Sequence, residues 1–404
     1  MSSVKVNTLP EGWKVEELEK LIDLIQNGIS SKQNDEMIGY PVSRIETIQN
    51  STYDKNRIKY VDADNDAFNK YKYDIGDISF SHINSYEIIG KVAIYRGDIE
   101  NLLHGVNLLR LKFNDKIYSE YGYYFFKSSL ARKEYEQHIK RAINQASINQ
   151  KNLKSILVPF PPLEEQKRLV AKIDSLFTKI DKAISLTEES LKQAKNLLPS
   201  VLKEVFEKGK ADGWEEKKLG EVCDFSQGVQ RGAKLQSENC QKGQVRFLRI
   251  IDYTQGRVPP RYIDNPGEKY IVGENDISLV RYGASTGFVC RGLKGVLANN
   301  LFRVIPKNSS KLLNDFLYEY LSSSDFQGVI KSKMGGSAMP AISFKLISAI
   351  NIYIPSSNEQ NIVVKKLDDF YQCFKRTQSK LEEQLAYLKQ LKYSILSKAF
   401  KGEL

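Results

Sequence analysis

Cysteine, histidine and tryptophan are scarce in this chain of 404 residues, which contains four, three and two of them. No two cysteines form a CxxC pair, and all three histidines lie in the half of the chain that has no cysteine. A zinc finger or ribbon needs closely spaced ligands, so we expect no sequence-local metal site. The spacing also gives no disulfide framework, which favours a reducing compartment.

Long apolar runs are absent as well. No segment approaches the roughly 18 consecutive apolar residues of a transmembrane helix. The opening MSSVKVNTLPEGW lacks the apolar core of a signal peptide. We therefore expect a cytoplasmic protein that does not contact membranes.

Motifs for catalysis and cofactor binding are largely missing. The sequence has no GxxxxGK[ST] phosphate loop and no GxGxxG after a strand. GASTG from Gly283 fits a nucleophile elbow around Ser285, but that fold needs a histidine after the serine, and none follows His138. No spaced carboxylate pair indicates an acid/base or two-metal site. We predict a binding protein, not an enzyme, with no catalytic residue, metal or cofactor of its own.

Positive charge is in excess. Lys and Arg number 60 against 49 Asp and Glu, a net charge of +11, and the hydrophobic share of 41% is that of a globular protein. This balance favours a polyanion such as nucleic acid as partner, although surplus lysine can also serve solubility alone.

A long internal repeat organises the chain. Trp13 and Trp214 are the only tryptophans and occupy equivalent places, as do Gln166 and Gln360. The offset between the copies drifts from 201 to 194, as small insertions and deletions in loops would produce. The matching segments are PEGWKVEEL from Pro10 with ADGWEEKKL from Ala211, DISF from Asp77 with DISL from Asp276, NLLRL from Asn107 with NLFRV from Asn300, and VPFPPLEEQ from Val158 with IYIPSSNEQ from Ile352.

The first part of each copy reads as a mixed α and β lobe. Short β-branched and aromatic runs such as KVAIYRG from Lys91, RFLRIIDY from Arg246 and GFVCRG from Gly287 predict strands separated by turns. Helical spacing over 118–140 and again over 312–331 predicts a helical stretch in each lobe. The fold class is therefore predicted to be α+β.

The second part of each copy predicts a long helix. The segments 164–208 and 359–400 have no interior glycine, and their apolar residues recur in alternating steps of three and four, a heptad pattern. At 1.5 Å per residue each helix is about 65 Å long, so the two could pair with each other, lie along a domain or form a homodimer. Gly209 and Gly402 are predicted to end them. The core of the seam is Val170, Ile173, Phe177, Ile180 and Leu191 in the first helix and Val364, Leu367, Phe374, Leu381 and Leu388 in the second.

Basic and amide side chains outside the helices are the candidates for DNA contact. Arginine suits bidentate contact with guanine and Asn or Gln with adenine, whereas most basic residues on DNA contact only phosphate. The alternative for each single residue is a solvated surface side chain. The candidates are Lys32, Gln33, Asn34, Lys55 and Arg57 in the first copy and Arg231, Lys234, Arg246, Arg249, Arg281, Tyr282, Lys331 and Lys333 in the second.

This layout resembles the specificity subunit of type I restriction–modification systems over the whole chain. The resemblance rests on GW at Gly12 and Gly213, PFPPLEEQKRLVAKID from Pro159, IPSSNEQNIVVKKLD from Ile354, the helix tails LKQAKNLLPSVL and LAYLKQLKYSIL, SLVRYGASTG from Ser278 and GGSAMPAIS from Gly335. The second helix entry has PSSNEQ where the family has PPLxEQ. Copy one has SFSHINSYEIIG in place of RYGASTG, so that loop is expected to differ in shape and in what it reads.

The resemblance implies a division of labour. Residues 1–157 and 210–352 would be two target recognition domains, each reading one half of a bipartite site in double-stranded DNA. Residues 158–209 and 353–404 would be two helices in an antiparallel coiled coil that fixes the gap between the half-sites.

The resemblance also implies partners. The chain would dock two modification subunits, which bind S-adenosylmethionine and methylate adenine, and restriction or motor subunits, which use ATP to translocate and cleave DNA. The alternative hypothesis is a coiled-coil adaptor whose lobes bind protein or a polyanion other than DNA.

Overall fold

The computed structural model describes residues 9–48, 51–143, 145–256, 258–333 and 341–404, with the side chain of Leu198 left aside. The chain forms two compact units. One comprises residues 1–188 with 383–404, and the other comprises residues 189–382. Each unit combines one α+β lobe with part of both long helices, which confirms the predicted fold class.

The first lobe is built from short strands and short helices. Its strands are β1 Lys14–Glu17, β2 Ile22–Asn27, β3 Gln33–Asn34, β4 Tyr40–Ser43, β5 Lys59–Val61, β6 Ile78–Ser81, β7 Ile83–Asn84, β8 Val92–Ile94, β9 Leu103–His104, β10 Leu108–Phe113, β11 Lys140–Ala142, β12 Gln145–Ser147 and β13 Leu157–Phe160. Its helices are α1 Asn65–Tyr71, α2 Ser119–Lys127, α3 Ser129–Glu136 and α4 Gln150–Lys154, and the long helix α5 Leu163–Ala211 follows.

The second lobe repeats this order with fewer elements among the residues described. Its strands are β14 Glu215–Lys218, β15 Cys223–Gln227, β16 Gln244–Leu248, β17 Arg261–Asp264, β18 Ile271–Val272, β19 Ile277–Val280, β20 Val289–Cys290, β21 Gly295–Leu297, β22 Leu301–Pro306 and β23 Asn351–Ile354. Its helices are α6 Leu219–Val222, α7 Ile250–Thr254, α8 Asn314–Ser322, α9 Ser324–Lys333 and α10 Phe344–Ser348, and the long helix α11 Ser357–Ala399 follows. Single 3-10 turns lie at Leu18–Leu21, Glu46–Ile48, Lys55–Arg57, Ala233–Leu235 and Glu268–Tyr270.

The sheets show the duplication directly. The order β2-β10-β6-β8 in the first lobe matches β15-β22-β19-β20 in the second, and β1-β13 matches β14-β23. A second four-stranded sheet in each lobe, β3-β5-β4-β9 and β17-β16-β21-β18, contains one parallel pair, β4 with β9 and β16 with β21. The first lobe adds the sheet β11-β12-β7. The repeat in the sequence is therefore a repeat in topology.

Both predicted helical stretches of the lobes are helical, but each is divided into two helices. Ser128 and Ser323 adopt extended backbone there and cap the second helix with their hydroxyls. One sequence prediction of local structure was wrong. The run RFLRIIDY is a strand only to Leu248. Its second half is α7, which begins where the carboxylate of Asp252 accepts the backbone N–H of Arg249 at 2.8 Å.

The long helices begin where predicted, but the first one does not end at a glycine. The segment α5 runs through Pro199 and Gly209 to Ala211. A Cβ on Gly209 would lie 2.4 Å from the indole of Trp214, so the glycine serves close approach to that ring rather than helix termination. Gly402, by contrast, follows the end of α11 with φ +73°. The domain boundaries at 157, 209 and 352 stay predictions.

Within the first unit the two long helices run antiparallel. Lys172 Nζ donates to the Leu404 carbonyl at 2.9 Å, Asp181 pairs with Lys392, and Glu188 lies 3.8 Å from Lys389, so contacts move up α5 as they move down α11. In the second unit Leu202 and Phe206 share a core with Val364 and Leu367. Of the predicted seam, Val170, Ile173, Phe177, Ile180 and Leu367 are buried, and Leu191, Val364, Phe374, Leu381 and Leu388 are half-buried.

A buried glutamine at the start of each long helix ties it to its lobe. Gln166 accepts the backbone N–H of Tyr118 at 2.9 Å and donates at 2.9 Å to the carbonyls of Lys116 and Pro161. Gln360 accepts from Leu313 at 2.9 Å and donates to Lys311 at 2.7 Å and Pro355 at 3.0 Å. Both side chains are fully buried. The repeated EQ of the sequence is thus a repeated set of three hydrogen bonds.

Candidate nucleic-acid interface

An ion pair joins two central strands of each lobe, one of which leads into a loop of the candidate interface. Arg110 Nε lies 2.5 Å from the carboxylate of Asp77, and Arg303 Nη2 lies 2.6 Å from that of Asp276. The same aspartates accept the N–H of the residue three positions earlier at 2.8 and 2.7 Å. These pairs hold β6 against β10 and β19 against β22. The strands β6 and β19 then run into the loops that differ between the copies.

In the second lobe the two sequence motifs that carry the resemblance meet. Arg281 accepts the backbone N–H of Ile342 at 2.8 Å, its Nε donates to the Ile342 carbonyl at 3.3 Å, and Tyr282 forms a β-bridge with Ala341. The guanidinium of Arg281 also lies 5.6 Å from the ring of Phe344. Residues 335–340 of GGSAMPAIS lie outside the described residues. GASTG joins β19 to β20 as a turn, with Gly283 at φ +106° and Gly287 at φ +90°.

The corresponding place in the first lobe is more elaborate. His82 accepts the N–H of Ile148 at 3.0 Å, and β7 pairs with β12, so the 82–86 loop adds a strand to the hairpin of β11 and β12. That hairpin carries Lys140 and Arg141, and the guanidinium of Arg141 lies 3.6 Å from the ring centroid of Tyr86. The first lobe therefore presents a basic hairpin at this place.

Two adjoining cavities open beside this hairpin. The larger, about 350 Å³, is lined by Ile45, Ile83, Asn84, Ser85, Asn107, Ile143 and Gln145. The smaller, about 80 Å³, is lined by Gln33, Ser43, Arg44, Ile45, Glu46, Gly105, Val106 and Asn107. They share Ile45 and Asn107, so the polar side chains of both line one continuous surface.

Two histidines are buried beneath this surface. Burial lowers the pKa of His82 to about 4 and that of His104 to about 4. His104 Nδ1 lies 2.8 Å from the Tyr71 carbonyl, so the neutral ring donates from that nitrogen. Nδ1 of His82 and Nε2 of His104 are buried and have no partner among the residues described. Both rings are therefore neutral at physiological pH.

Mild acid should destabilise the first lobe more than the second. In the unfolded chain both histidines have a pKa near 6.5, so they bind protons as the pH falls below that value. In the folded lobe they stay neutral down to about pH 4, so the unfolded state is favoured in between. Between pH 7 and pH 6 the two rings together should cost about 1 kcal/mol. All three histidines of the chain lie in the first lobe.

Hydrogen exchange of the full chain at pH 7 and pH 6, corrected for intrinsic rates, measures this difference lobe by lobe. Protection should fall in residues 9–160 and stay level in residues 212–355. The variant His82→Gln/His104→Gln should lose the pH dependence of protection. An equal acid response in the variant would show that other groups cause it.

Of the candidates of the first lobe, Gln33 and Asn34 form β3 of its second sheet, and Lys55 and Arg57 lie in the 3-10 turn before β5. Gln33 lines the smaller cavity, and Lys32 beside it is exposed. Asn34 has a structural role: its Nδ2 donates to the Ile38 carbonyl at 3.0 Å and its Oδ1 accepts the Ile38 N–H at 3.1 Å. Lys55 is exposed, and Arg57 pairs with Asp54 at 3.3 Å.

Two candidates of the second lobe hold their own loop together. Arg249 donates from Nε to Asp252 at 3.0 Å and from Nη2 to the Pro259 carbonyl at 2.8 Å. Arg246 lies 3.8 Å from the same buried carboxylate. Arg246 and Arg249 therefore share Asp252 as a counter-charge.

The remaining candidates of the second lobe are more open. Lys234 is exposed, and Arg231, whose carbonyl accepts from Gln236 at 2.9 Å, is half-exposed. Lys331 and Lys333 are exposed at the end of α9. The same helix contacts the GASTG turn that follows Tyr282, where Gln327 Nε2 donates to the Gly287 carbonyl at 2.9 Å.

Sequence reasoning missed the polar residues of the first-lobe edge. Asn84, Asn107, Lys140, Arg141 and Gln145 were not candidates, although Asn107 opens the repeated NLLRL. Its counterpart Asn300 has a buried Oδ1 without a partner among the described residues. The usable signal was SHINSYEIIG, which replaces RYGASTG in the first copy.

In the described parts of the chain, neither grouped metal ligands nor a membrane-spanning helix is found. There, no group of three or more His, Cys, Asp or Glu side chains is placed to hold a metal ion. No helix in those parts is apolar enough over a sufficient length to cross a membrane.

Comparison with known proteins gives consistent matches. The family model described as type I restriction modification DNA specificity domain matches residues 10–195 and again residues 211–387. The specificity subunit of the type I restriction enzyme MjaX from Methanocaldococcus jannaschii is 35% identical over 419 residues, covering 94% of this chain and 92% of that one. The EcoKI specificity subunit of Escherichia coli is 30% identical over 190 residues, covering 46% of this chain and 41% of that one.

Solved structures share the fold. The HsdS subunit of Thermoanaerobacter tengcongensis has a TM-score of 0.67 at 23% identity, with 98% of each chain covered. A chain solved in a study of complex assembly and conformational transition of a type I R-M system has a TM-score of 0.76 at 21% identity, with 98% of this chain and 99% of that one covered.

Proposed function

Because this chain belongs to the type I restriction modification DNA specificity family, we propose that it selects the DNA sequence on which a restriction–modification complex acts. The observation that carries this is the pair of family matches at 10–195 and 211–387, which fall on two lobes of the same sheet order. The relatives MjaX and EcoKI are named as specificity subunits, and nothing favours the adaptor hypothesis.

Each lobe reads one half of a bipartite site in double-stranded DNA. The ion pairs, the capping serines and the glutamines at the helix entries are common to both lobes, whereas the loops after β6 and β19 differ. A shared framework with different loops supports two different half-sites. A pseudo-repeated protein on a duplex is expected to contact them about one helical turn apart or at multiples of it.

The chemistry lies on other subunits. Two modification subunits would bind S-adenosylmethionine and methylate adenine, and restriction subunits would use ATP to translocate and cleave DNA. This chain would be non-catalytic, with neither cofactor, and would work in the cytoplasm on chromosomal or invading DNA. The long helices would dock these subunits and set the gap between the half-sites.

Mapping methylated adenines in host DNA, with this gene present and deleted, tests the proposal. With the gene present, methylation should occur at one asymmetric motif with two defined halves and a fixed gap. Deletion should abolish that motif and leave others unchanged. Methylation that is identical in both strains would overturn the proposal.

Shortening both helices by one heptad should shorten the gap. Removing residues 186–192 and 384–390, around the Glu188–Lys389 contact, takes out about 10 Å of each helix. That length corresponds to about three base pairs at 3.4 Å each. Methylome mapping should return the same two half-sites with a shorter gap. Deletion from one helix alone, which leaves the two helices unequal in length and shifts their pairing by one heptad, should abolish methylation. A full-strength motif with an unchanged gap would show that the helices do not set the spacing.

A further inference from the structure

The surface beside β7 in the first lobe is unusually rich in amide side chains. Gln33, Asn84, Asn107 and Gln145 line the two adjoining cavities, and we call these four residues the amide trough. They come from four separate segments: β3, β7, the turn before β10, and β12. The fold therefore assembles amides that are distant in sequence.

The amide trough retains hydrogen-bonding capacity. Among the described residues, the side chains of Gln33, Asn107 and Gln145 form no hydrogen bond, in contrast to Asn34, which uses both its amide atoms within its own turn. Asn84 Oδ1 accepts the Ser85 N–H at 2.8 Å, but its Nδ2 is buried without a partner. The accessible hydrogen-bonding capacity of the trough therefore lies on the amides of Gln33, Asn107 and Gln145, each of which has both a donor and an acceptor to offer a ligand.

The side chains at the edge of the trough, Lys140, Arg141 and Ile143, combine positive charge with an exposed apolar group, as in a surface that enters a DNA groove. Ile143, at the tip of the hairpin, is 94% exposed, where an apolar side chain has no structural use. Arg141, stacked on Tyr86, and the exposed Lys140 place positive charge beside it. The one arginine lining the trough, Arg44, is held by Glu46 at 3.1 Å.

Resting on the function proposed above, we propose that the amide trough reads A·T base pairs in the major groove of the half-site bound by the first lobe. Side-chain amides pair with N6 and N7 of adenine through two hydrogen bonds, and an apolar tip such as Ile143 contacts the methyl group of thymine. Guanine would require a free Arg or Lys among the side chains that line the cavities, and Arg44 in that lining is engaged with Glu46. Lys140 and Arg141 contact phosphate. Gly283 stands where Asn84 stands in the first lobe, so the second lobe reads by other contacts.

The test is selection from a duplex library randomised over both half-sites, using the full chain assembled with its modification subunits. Wild type should select a half-site containing A·T pairs. Asn107→Ala/Gln145→Ala, both exposed side chains, should reduce discrimination about ten- to a hundred-fold at one or two of those positions and leave the other half-site intact. Asn84→Ser, which keeps a small polar group, should relax a neighbouring position.

Matched variants distinguish side chains that contact bases, and so set the sequence preference, from those that contact only phosphate. Lys140→Ala should weaken binding equally for all sequences and lower the slope of log affinity against log salt by about one, without changing preference. Ile143→Ser should weaken selection at a thymine, whereas Ile75→Ser, which replaces an isoleucine 79% exposed three residues before β6, should not.

The outcomes are distinguishable. If wild type selects no bipartite sequence, the proposed function fails. If wild type selects one and the amide variants select the same sequence with the same stringency, or if they lose discrimination only at G·C pairs, the function stands and the inference on the amide trough is overturned.

Discussion

Replacing Arg110 with alanine should lower the free energy of unfolding of the first lobe by about 3–5 kcal/mol. The substitution would leave the carboxylate of Asp77 buried without its counter-charge, because the two side chains are 6% and 2% exposed. Burial already raises the pKa of Asp77 even with Arg110 in place, which shows how poorly this position solvates a charge. Asp74, 2.9 Å from Arg110, would keep Lys112 as a partner.

The second lobe provides a matched comparison in the same chain. Arg303 and Asp276 occupy the equivalent positions, but their side chains are 27% and 20% exposed. Water can partly replace the lost partner there, so Arg303→Ala should cost about 1–2 kcal/mol. Because both pairs consist of the same two residue types, the difference in unfolding free energy lost by the two variants measures the effect of burial.

Urea unfolding followed by hydrogen exchange in each lobe would measure both losses. Arg110→Met combined with Asp77→Leu, which removes both charges, should recover a large part of the stability lost in Arg110→Met alone. Equal costs for Arg110→Ala and Arg303→Ala would contradict the role assigned to burial. A double variant no more stable than Arg110→Met would show that the pair itself stabilises the fold.

Much of the scaffold could be predicted from the sequence because the repeat exposes it. Segments such as DISF/DISL and NLLRL/NLFRV carry the aspartate and arginine of the ion pairs, and the heptads give the long helices. The breaks at Ser128 and Ser323 could not be predicted, since neither glycine nor proline marks them and the helical spacing of the apolar residues continues across each serine. Gly209 misled for a similar reason: its approach to Trp214 depends on packing that local sequence does not show.

The candidate interface was harder to predict because it is assembled from distant segments. Composition points to basic residues, yet Arg246 and Arg249 are engaged with a buried aspartate, and Asn34 closes its own turn. Asn84, Asn107 and Gln145 lie up to 61 positions apart. The pairing of β7 with β12 brings Asn84 near Gln145, and the turn before β10 adds Asn107. A side chain can contact DNA only if its neighbours leave its hydrogen-bonding groups unused, and those neighbours are known only from the fold.

Replacing Gln166 with leucine should lower the free energy of unfolding by about 3 kcal/mol or more. Leucine has a similar volume but cannot bond, so the N–H of Tyr118 and the carbonyls of Lys116 and Pro161 would lose their partner in a fully buried place. Each such orphaned group costs about 1–3 kcal/mol. Gln360→Leu removes the same set of three bonds and should cost the same within about 1 kcal/mol.

Gln193→Leu is the control, because Gln193 is exposed on the same helix and bonds only to Glu189 at 3.2 Å. It should change stability by less than about 0.5 kcal/mol. Urea unfolding of the three variants compares them, and a loss for Gln166→Leu no larger than for Gln193→Leu would contradict the role given to the buried bonds. Since Gln166 joins the helix entry to the loop before α2, its loss should also reduce DNA discrimination in the half-site of the first lobe alone. Gln360→Leu should do so in the other half-site, because each glutamine fixes its own lobe to its own helix.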